Sequence, residues 1–238
     1  TITADVSDLA GNPATQASDT TKKDTSSPTI SVAINDGGDG RLNAAEDGSV
    51  AIAGTTSGAE DGQTVAINIS SSAGGTPINT TASVNSNSYS VTGLDLSSLD
   101  DGTLTITADV SDLAGNAATQ ASDTSTKDTS SPTITISSDV SSLKTGETAT
   151  LTFTLSEAAS NFVQSDVTVS GGTLSNWSAA SSTSYSATFT PTADSTANGV
   201  ISVASSKFSD SAGNTNNDGS DSNNSVTLSV DTTAPTFS

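Results

Sequence analysis

The chain nearly repeats itself. Residues 1–30 and 105–134 differ at three positions only, Pro13/Ala117, Thr21/Ser125 and Lys22/Thr126, at an offset of 104 residues. The segment Asp24-Thr-Ser-Ser-Pro28 returns as Asp128-Thr-Ser-Ser-Pro132 and, more loosely, as Asp231-Thr-Thr-Ala-Pro235. Self-similarity at a fixed long period means a string of like modules. The spacing divides the chain into two whole units, residues 24–127 and 128–230. Before them, residues 1–23 supply the last two strands of an incomplete unit. After them, residues 231–238 form a linker and the first residues of another, and each Pro-bearing segment reads as a short linker.

Within a unit the apolar pattern has period 2. Residues 28–34, 49–53, 64–69 and 103–110 alternate Ile, Val or Leu with Thr, Ser or Ala. Residues 132–136, 149–155, 166–169, 185–189, 200–203 and 226–230 do the same in the second unit. Such alternation marks half-buried strands. About seven short strands per 100 residues, separated by Gly, Asn and Asp turns, predict an all-β fold of tandem Ig-like antiparallel sandwiches arranged end to end.

Bulk composition points the other way. Leu, Ile, Val and Phe make up about 18% of 238 residues, and the net charge is −20, a combination typical of chains that bury no core. The alternation answers this for the whole units, because a strand covered on one face needs apolar side chains at every second position only. Residues 1–23 cannot enclose a core alone and are expected to be disordered.

Other absences narrow the function. The chain has no Cys and no His, which removes disulfides, thiolate nucleophiles, zinc fingers and imidazole bases. Charge −20 opposes binding to nucleic acid or to an anionic membrane surface. No apolar run approaches the roughly 20 residues that span a bilayer, and no signal peptide is visible ahead of Thr1. The chain reads as a piece of something longer. It shows no aspartic-protease signature and is expected not to be an enzyme.

The motifs resemble those of the bacterial Ig-like repeats of giant secreted surface adhesins, the biofilm-associated and RTX-type adhesins. The first unit carries Asn43-Ala-Ala-Glu46, Ser57-Gly-Ala-Glu-Asp-Gly-Gln-Thr-Val65, Leu99-Asp-Asp-Gly102 and Ser111-Asp-Leu-Ala-Gly-Asn116. The second resembles a related subtype, with Leu143-Lys-Thr-Gly-Glu147, Leu155-Ser-Glu157, Phe189-Thr-Pro191 and Phe208-Ser-Asp-Ser-Ala-Gly-Asn214. The resemblance implies extender domains at the bacterial cell surface, whose partners are neighbouring repeats in the same chain, with calcium at their junctions. Neither nucleic acid nor membrane insertion belongs to that picture, the tip ligand lies outside the fragment, and the chain is expected to be monomeric.

Carboxylates gather in loops, where hard cations find oxygen ligands around tight bends. In residues 35–46, Asn35, Asp39, Asn43 and Glu46 fall at positions 1, 5, 9 and 12 of a calcium-loop spacing, with Asp36 beside them and Gly40 at the bend. Position 3 is Gly37 and strands flank the loop, so an EF-hand is not expected. A Gly/Asp turn with solvated carboxylates is the alternative.

In an Ig sandwich the BC and FG loops lie at the N-terminal end, and the AB and EF loops at the other. Asp128 of the linker should then meet Glu157 and Asp210 of the following unit, and Asp100 and Asp101 of the preceding one. Asp24 should likewise meet Glu60, Asp61 and Asp112, and Asp231 opens the next linker. Without a cation such clusters repel; with calcium they clamp neighbouring domains. Asp112 and Asp210 are expected ligands, although Asp and Asn in Asp-x-Ala-Gly-Asn also serve as turn formers. For Asn116 and Asn214 the two roles stay open. Asn217-Asp-Gly-Ser-Asp221 is read as a solvated loop in preference to another, weak cation site, and Trp177, Tyr89 and Tyr185 as core residues.

The function expected is therefore a calcium-stiffened extender of a long adhesin that projects a distal ligand-binding module. The alternatives are a module that itself grips glycan, ice or a receptor, and an accessory domain of a secreted polysaccharide-degrading enzyme.

Overall fold

The computed structural model describes residues 1–236. Of the last expected segment, 231–238, the final two residues lie outside the described part. Residues 1–23 form a hairpin of β1 (Ile2–Ala4) and β2 (Ala17–Asp19). Every residue of it is exposed, Leu9 fully so. The expected disorder thus gives way to backbone pairing, aided by a bond from the Gln16 amide to Asp5 at 3.0 Å. The expected lack of a core holds, and a lone two-stranded ribbon is marginal in water.

The next nine strands build one sandwich. They are β3 (Thr29–Ile30), β4 (Ala33–Asn35), β5 (Arg41–Leu42), β6 (Val50–Ser57) and β7 (Thr64–Ser71), then β8 (Ile78–Ser83), β9 (Ser88–Leu94), β10 (Gly102–Asp109) and β11 (Ala121–Lys127). One sheet runs β5-β11-β10-β7-β8; in the other, β6 pairs with β3, β4 and β9. All pairings are antiparallel except β5 with β11. Leu104, Ile106 and Ala108 point inward from β10 while Thr103 and Thr105 face water. They pack on Ile52, Val65, Ile67, Ile69 and Leu96 in an aliphatic core.

Tyr89 closes one edge of that core. Its hydroxyl donates to the Ser31 carbonyl at 2.6 Å, between β3 and β4, and burial pushes its pKa up to about 12. Gly54 on β6 makes this possible, because a Cβ there would collide with the Ser31 carbonyl and the Tyr89 ring.

The second sandwich contains β12 (Ile134–Ser138), β13 (Ser142–Lys144), β14 (Ala149–Leu155) and β15 (Val167–Ser170), then β16 (Gly172–Ser181), β17 (Ser184–Pro191), β18 (Gly199–Val203) and β19 (Ser225–Asp231). Its sheets run β12-β14-β17-β16 and β13-β19-β18-β15, with β13 and β19 parallel. The core here is aromatic. Phe162 meets Tyr185 edge-on with ring centroids 5.1 Å apart, and Trp177 lies 5.2 Å from Phe153. Tyr89, Tyr185 and Trp177 are thus core residues, as the sequence suggests.

Candidate metal centre at the junction of the units

The linker after β11 brings together three carboxylates. Asp128 from the linker, Glu157 from the loop after β14 and Asp210 from the loop between β18 and β19 place one ligand oxygen each within 4.8 Å of the others. Oxygens bound to one calcium at 2.3–2.6 Å can be at most about 5 Å apart, so the spacing fits. Asp210 is buried and the other two are half-buried. Burial, followed by the charges of Asp128 and Asp210, raises the pKa of Glu157. The donor set is all oxygen, which suits a hard cation.

Local turns aim these groups. Asp210 Oδ1 accepts the backbone N–H of Ala212 at 2.8 Å and of Asn214 at 2.9 Å, while its Oδ2 accepts the Asn214 side-chain amide at 2.9 Å. Asp8 with Asn12 makes the same three bonds and Asp112 with Asn116 the two from the asparagine, and the glycine in each copy has φ near +90°. The bond from the Asn116 side chain is the main reason Asp112 is held below the usual carboxylate range. The motif is therefore a turn wherever it occurs. Asn214 Nδ2 donates to the Asp128 carbonyl at 2.8 Å as well, so that amide faces protein acceptors.

Asp24, Asp128 and Asp231 also share a local device, an Oδ1 accepting the N–H two residues on. For Asp231 the Thr233 hydroxyl is the first cause of a lowered pKa.

Several expected groupings do not form. Asp100 and Asp101 stay outside the triad. Asp101 instead accepts Thr129 N–H at 2.9 Å and the Thr129 hydroxyl at 3.0 Å, because Lys127 Nζ, 3.9 Å away, balances its charge there. Asp100 turns toward Gly74. Glu60 reaches the Asp112 loop, accepting Leu113 N–H at 2.8 Å. Yet Asp24, Glu60, Asp61 and Asp112 make no cluster of three among the described residues, and Asp61 is occupied by Ser86 N–H at 2.7 Å. The reason is support: Asp128 N–H is anchored on the Leu42 carbonyl at 2.9 Å, and residues 1–23 offer Asp24 no such sandwich.

In the 35–46 loop no three carboxylates converge among the described residues. Asn35 is an exposed residue of β4. Asp36 accepts Gly38 N–H, Asp39 accepts Arg41 N–H and Glu46 accepts Asn43 N–H. Asn43 Oδ1 accepts Ala45 N–H. Each group caps its own bend, which is the turn alternative. In the 217–221 loop Asp218 is buried, contrary to the solvated reading, and accepts Ile134 N–H at 2.7 Å.

Lys127 escaped the sequence reading. It is 3% exposed, with Nζ 3.2 Å from Asp47 and 2.6 Å from the Leu99 carbonyl. The only available signal was its in-facing position, two residues after Ser125, in a run of Ser and Thr.

Two face-packed, mostly antiparallel sheets around each core, with Asp and Asn turns at the ends, define both units as Ig-like β-sandwiches. Residues 128–227 match the family model described as a bacterial Ig-like domain. No curated protein matches the chain. Among solved structures it is similar to a tetra-tandem repeat in the extending region of a large adhesion protein, at 25% identity over 96% of this chain and 54% of that one, TM-score 0.40. It is also similar to invasin, a bacterial integrin-binding protein, at 19% identity over 86% of this chain and 39% of that one, TM-score 0.34. A third similar structure is the Escherichia coli adhesin FdeC, at 16% identity over 86% and 64%, TM-score 0.48. The chain thus spans about half the length of the first of these.

Proposed function

We propose that the chain is part of the extender region of a bacterial cell-surface adhesin, in which residues 24–127 and 128–230 are successive domains stiffened by calcium at their junction. The carrying observation is the triad Asp128, Glu157 and Asp210, whose ligand oxygens lie within 4.8 Å where one core ends and the next begins. The near-exact repetition and the match of residues 128–227 to a bacterial Ig-like domain support the same reading. A cation there would cancel the mutual repulsion of three charges and tie the linker to two loops of the second sandwich. An adhesin needs that stiffness to hold a distal ligand-binding module away from the cell.

Extracellular calcium modules have dissociation constants of about 10⁻⁴ to 10⁻³ M. At a hundredfold excess, binding adds about 2.7 kcal/mol, which should raise the melting temperature of a domain this size by roughly 10 °C. Calorimetry in calcium and in EDTA measures this. The native chain should show the rise and Asp210→Asn should lose most of it. Equal native melting temperatures in the two buffers would sink the calcium assignment.

A further inference from the structure

The linker is not the only connection between the two sandwiches. Asn214, 6% exposed, accepts the Ala44 N–H on its Oδ1 at 3.0 Å. Through Nδ2 it donates to the Asp128 carbonyl. Beside it, the Asn43 side-chain amide donates to the Ala212 carbonyl at 3.1 Å. Residues 43 and 44 belong to the first sandwich, whereas 212 and 214 belong to the second. The approach is close: a Cβ on Gly213 would sit 3.3 Å from Asn43 Nδ2.

The motif alone does not require these bonds. Asn116 and Asn12 complete the same turn with bonds to their own Asp only, and the side chain of neither bonds to another sandwich among the described residues. The junction adds two functions to Asn214, one donor and one acceptor, both spent across or along the boundary. A buried amide with every such group paired is costly to displace, because leaving one unpaired costs about 1–3 kcal/mol.

We propose that Asn214 is an interdomain latch that fixes the angle between the units through direct hydrogen bonds, and that its partner surface is the Asn43-Ala44 turn of the preceding like unit. The latch works without a cation. It also bonds Asp210 and Asp128, so it holds two of the three triad members in place before any ion arrives. Its value for reach rests on the extender reading above, but its existence does not.

The absence of cysteine allows a direct test. Spin labels on the full chain at Thr81→Cys and Ala180→Cys, both exposed and on different units, report the interdomain distance distribution in EDTA. The native background should give one narrow peak, and Asn214→Ala should lose it. Because that variant could also loosen its own turn, Ala44→Pro serves as the second arm. It lies in the other unit, at the start of a turn whose bonds onto Asn43 come from the N–H groups of Ala45, Glu46 and Asp47 and need none at position 44. It removes the N–H that Asn214 reads and leaves the Asn214 turn itself untouched. Loss of the narrow peak in Ala44→Pro supports the latch. A native-like peak in Ala44→Pro, or a broad native distribution in EDTA, overturns it. Neither outcome depends on whether calcium shifts the melting temperature, so the two readings can fail separately.

Discussion

Glu157 shares its space with Asp128 and Asp210, and burial together with those charges raises its pKa. A carboxyl whose pKa is higher folded than unfolded binds extra protons in the native state. The stability it contributes is present at low pH and falls as pH rises through the carboxylate range to the raised value. In EDTA, Glu157→Gln should therefore melt above the native chain at neutral pH, with the gap shrinking as pH falls. In calcium the order should invert, because Gln lacks the charge the ion needs. The lowered pKa values of Asp112 and Asp231 give the opposite slope, but they are common to both proteins and cancel in the comparison. Melting curves at several pH values in both buffers check this, and a variant that melts below the native chain in EDTA at neutral pH would refute the repulsion. The triad itself was legible in the sequence, since linker and loop positions follow from the order of strands in a sandwich. The role of Asn214 was not, because the turn it makes locally is the same in all three copies, and only docking distinguishes one from the others.

At the scale of elements, the two units seal their C-terminal ends in different ways. β11 pairs with β5 so that Lys127 lies opposite Leu42, and β19 pairs with β13 so that Val230 lies opposite Leu143. The same buried position thus holds an ammonium in one unit and an apolar side chain in the other. Around Lys127 stand Asp47, Asp101 and the Leu99 carbonyl. After Val230 the next-but-one residue, Thr232, closes the end with neutral bonds, its hydroxyl donating to the Thr192 carbonyl and accepting Ser195 N–H. Removing one partner of a buried pair typically costs about 3–5 kcal/mol, so Lys127→Ala should lower the first unit's transition and leave the second unit's in place. Calorimetry resolving two transitions reads this; an unchanged first transition would make Lys127 a bystander. Period 2 revealed β10 and β14 because one face is apolar. It missed β8, β9, β11 and β16, in which Thr80, Asp123, Ser125, Thr126 or Gly172 take inward places and, in β9, Val91 and Leu94 stand three residues apart. In β11 the inward residues are Ser125 and Lys127, which no hydrophobic pattern can show.

For the whole molecule, the charge of −20 divides into −11 over residues 24–127 and −7 over 128–230. The unit with more carboxylates is not the one that assembles three of them. Asp24, Glu60 and Asp112 occupy the same places in the first unit as Asp128, Glu157 and Asp210 in the second, and Glu60 already touches the Asp112 loop. Among the described residues no complete sandwich stands before them to hold the linker, as the Leu42 carbonyl holds Asp128 and the Asn43-Ala44 turn holds Asn214. A junction site is then a property of two neighbours, and the number of sites should track the number of complete junctions. Inserting a second copy of residues 24–127 immediately before Asp24 should supply the missing support. Native mass spectrometry or titration calorimetry should find one calcium in the original chain and two in the extended one. Glu60→Gln in the second of the two copies should return the count to one, because that residue faces the new junction. A count that stays at one after the insertion would mean that the first unit's carboxylates are turn formers only. It would also mean that stiffness along such a chain varies from joint to joint with the subtype of the following unit.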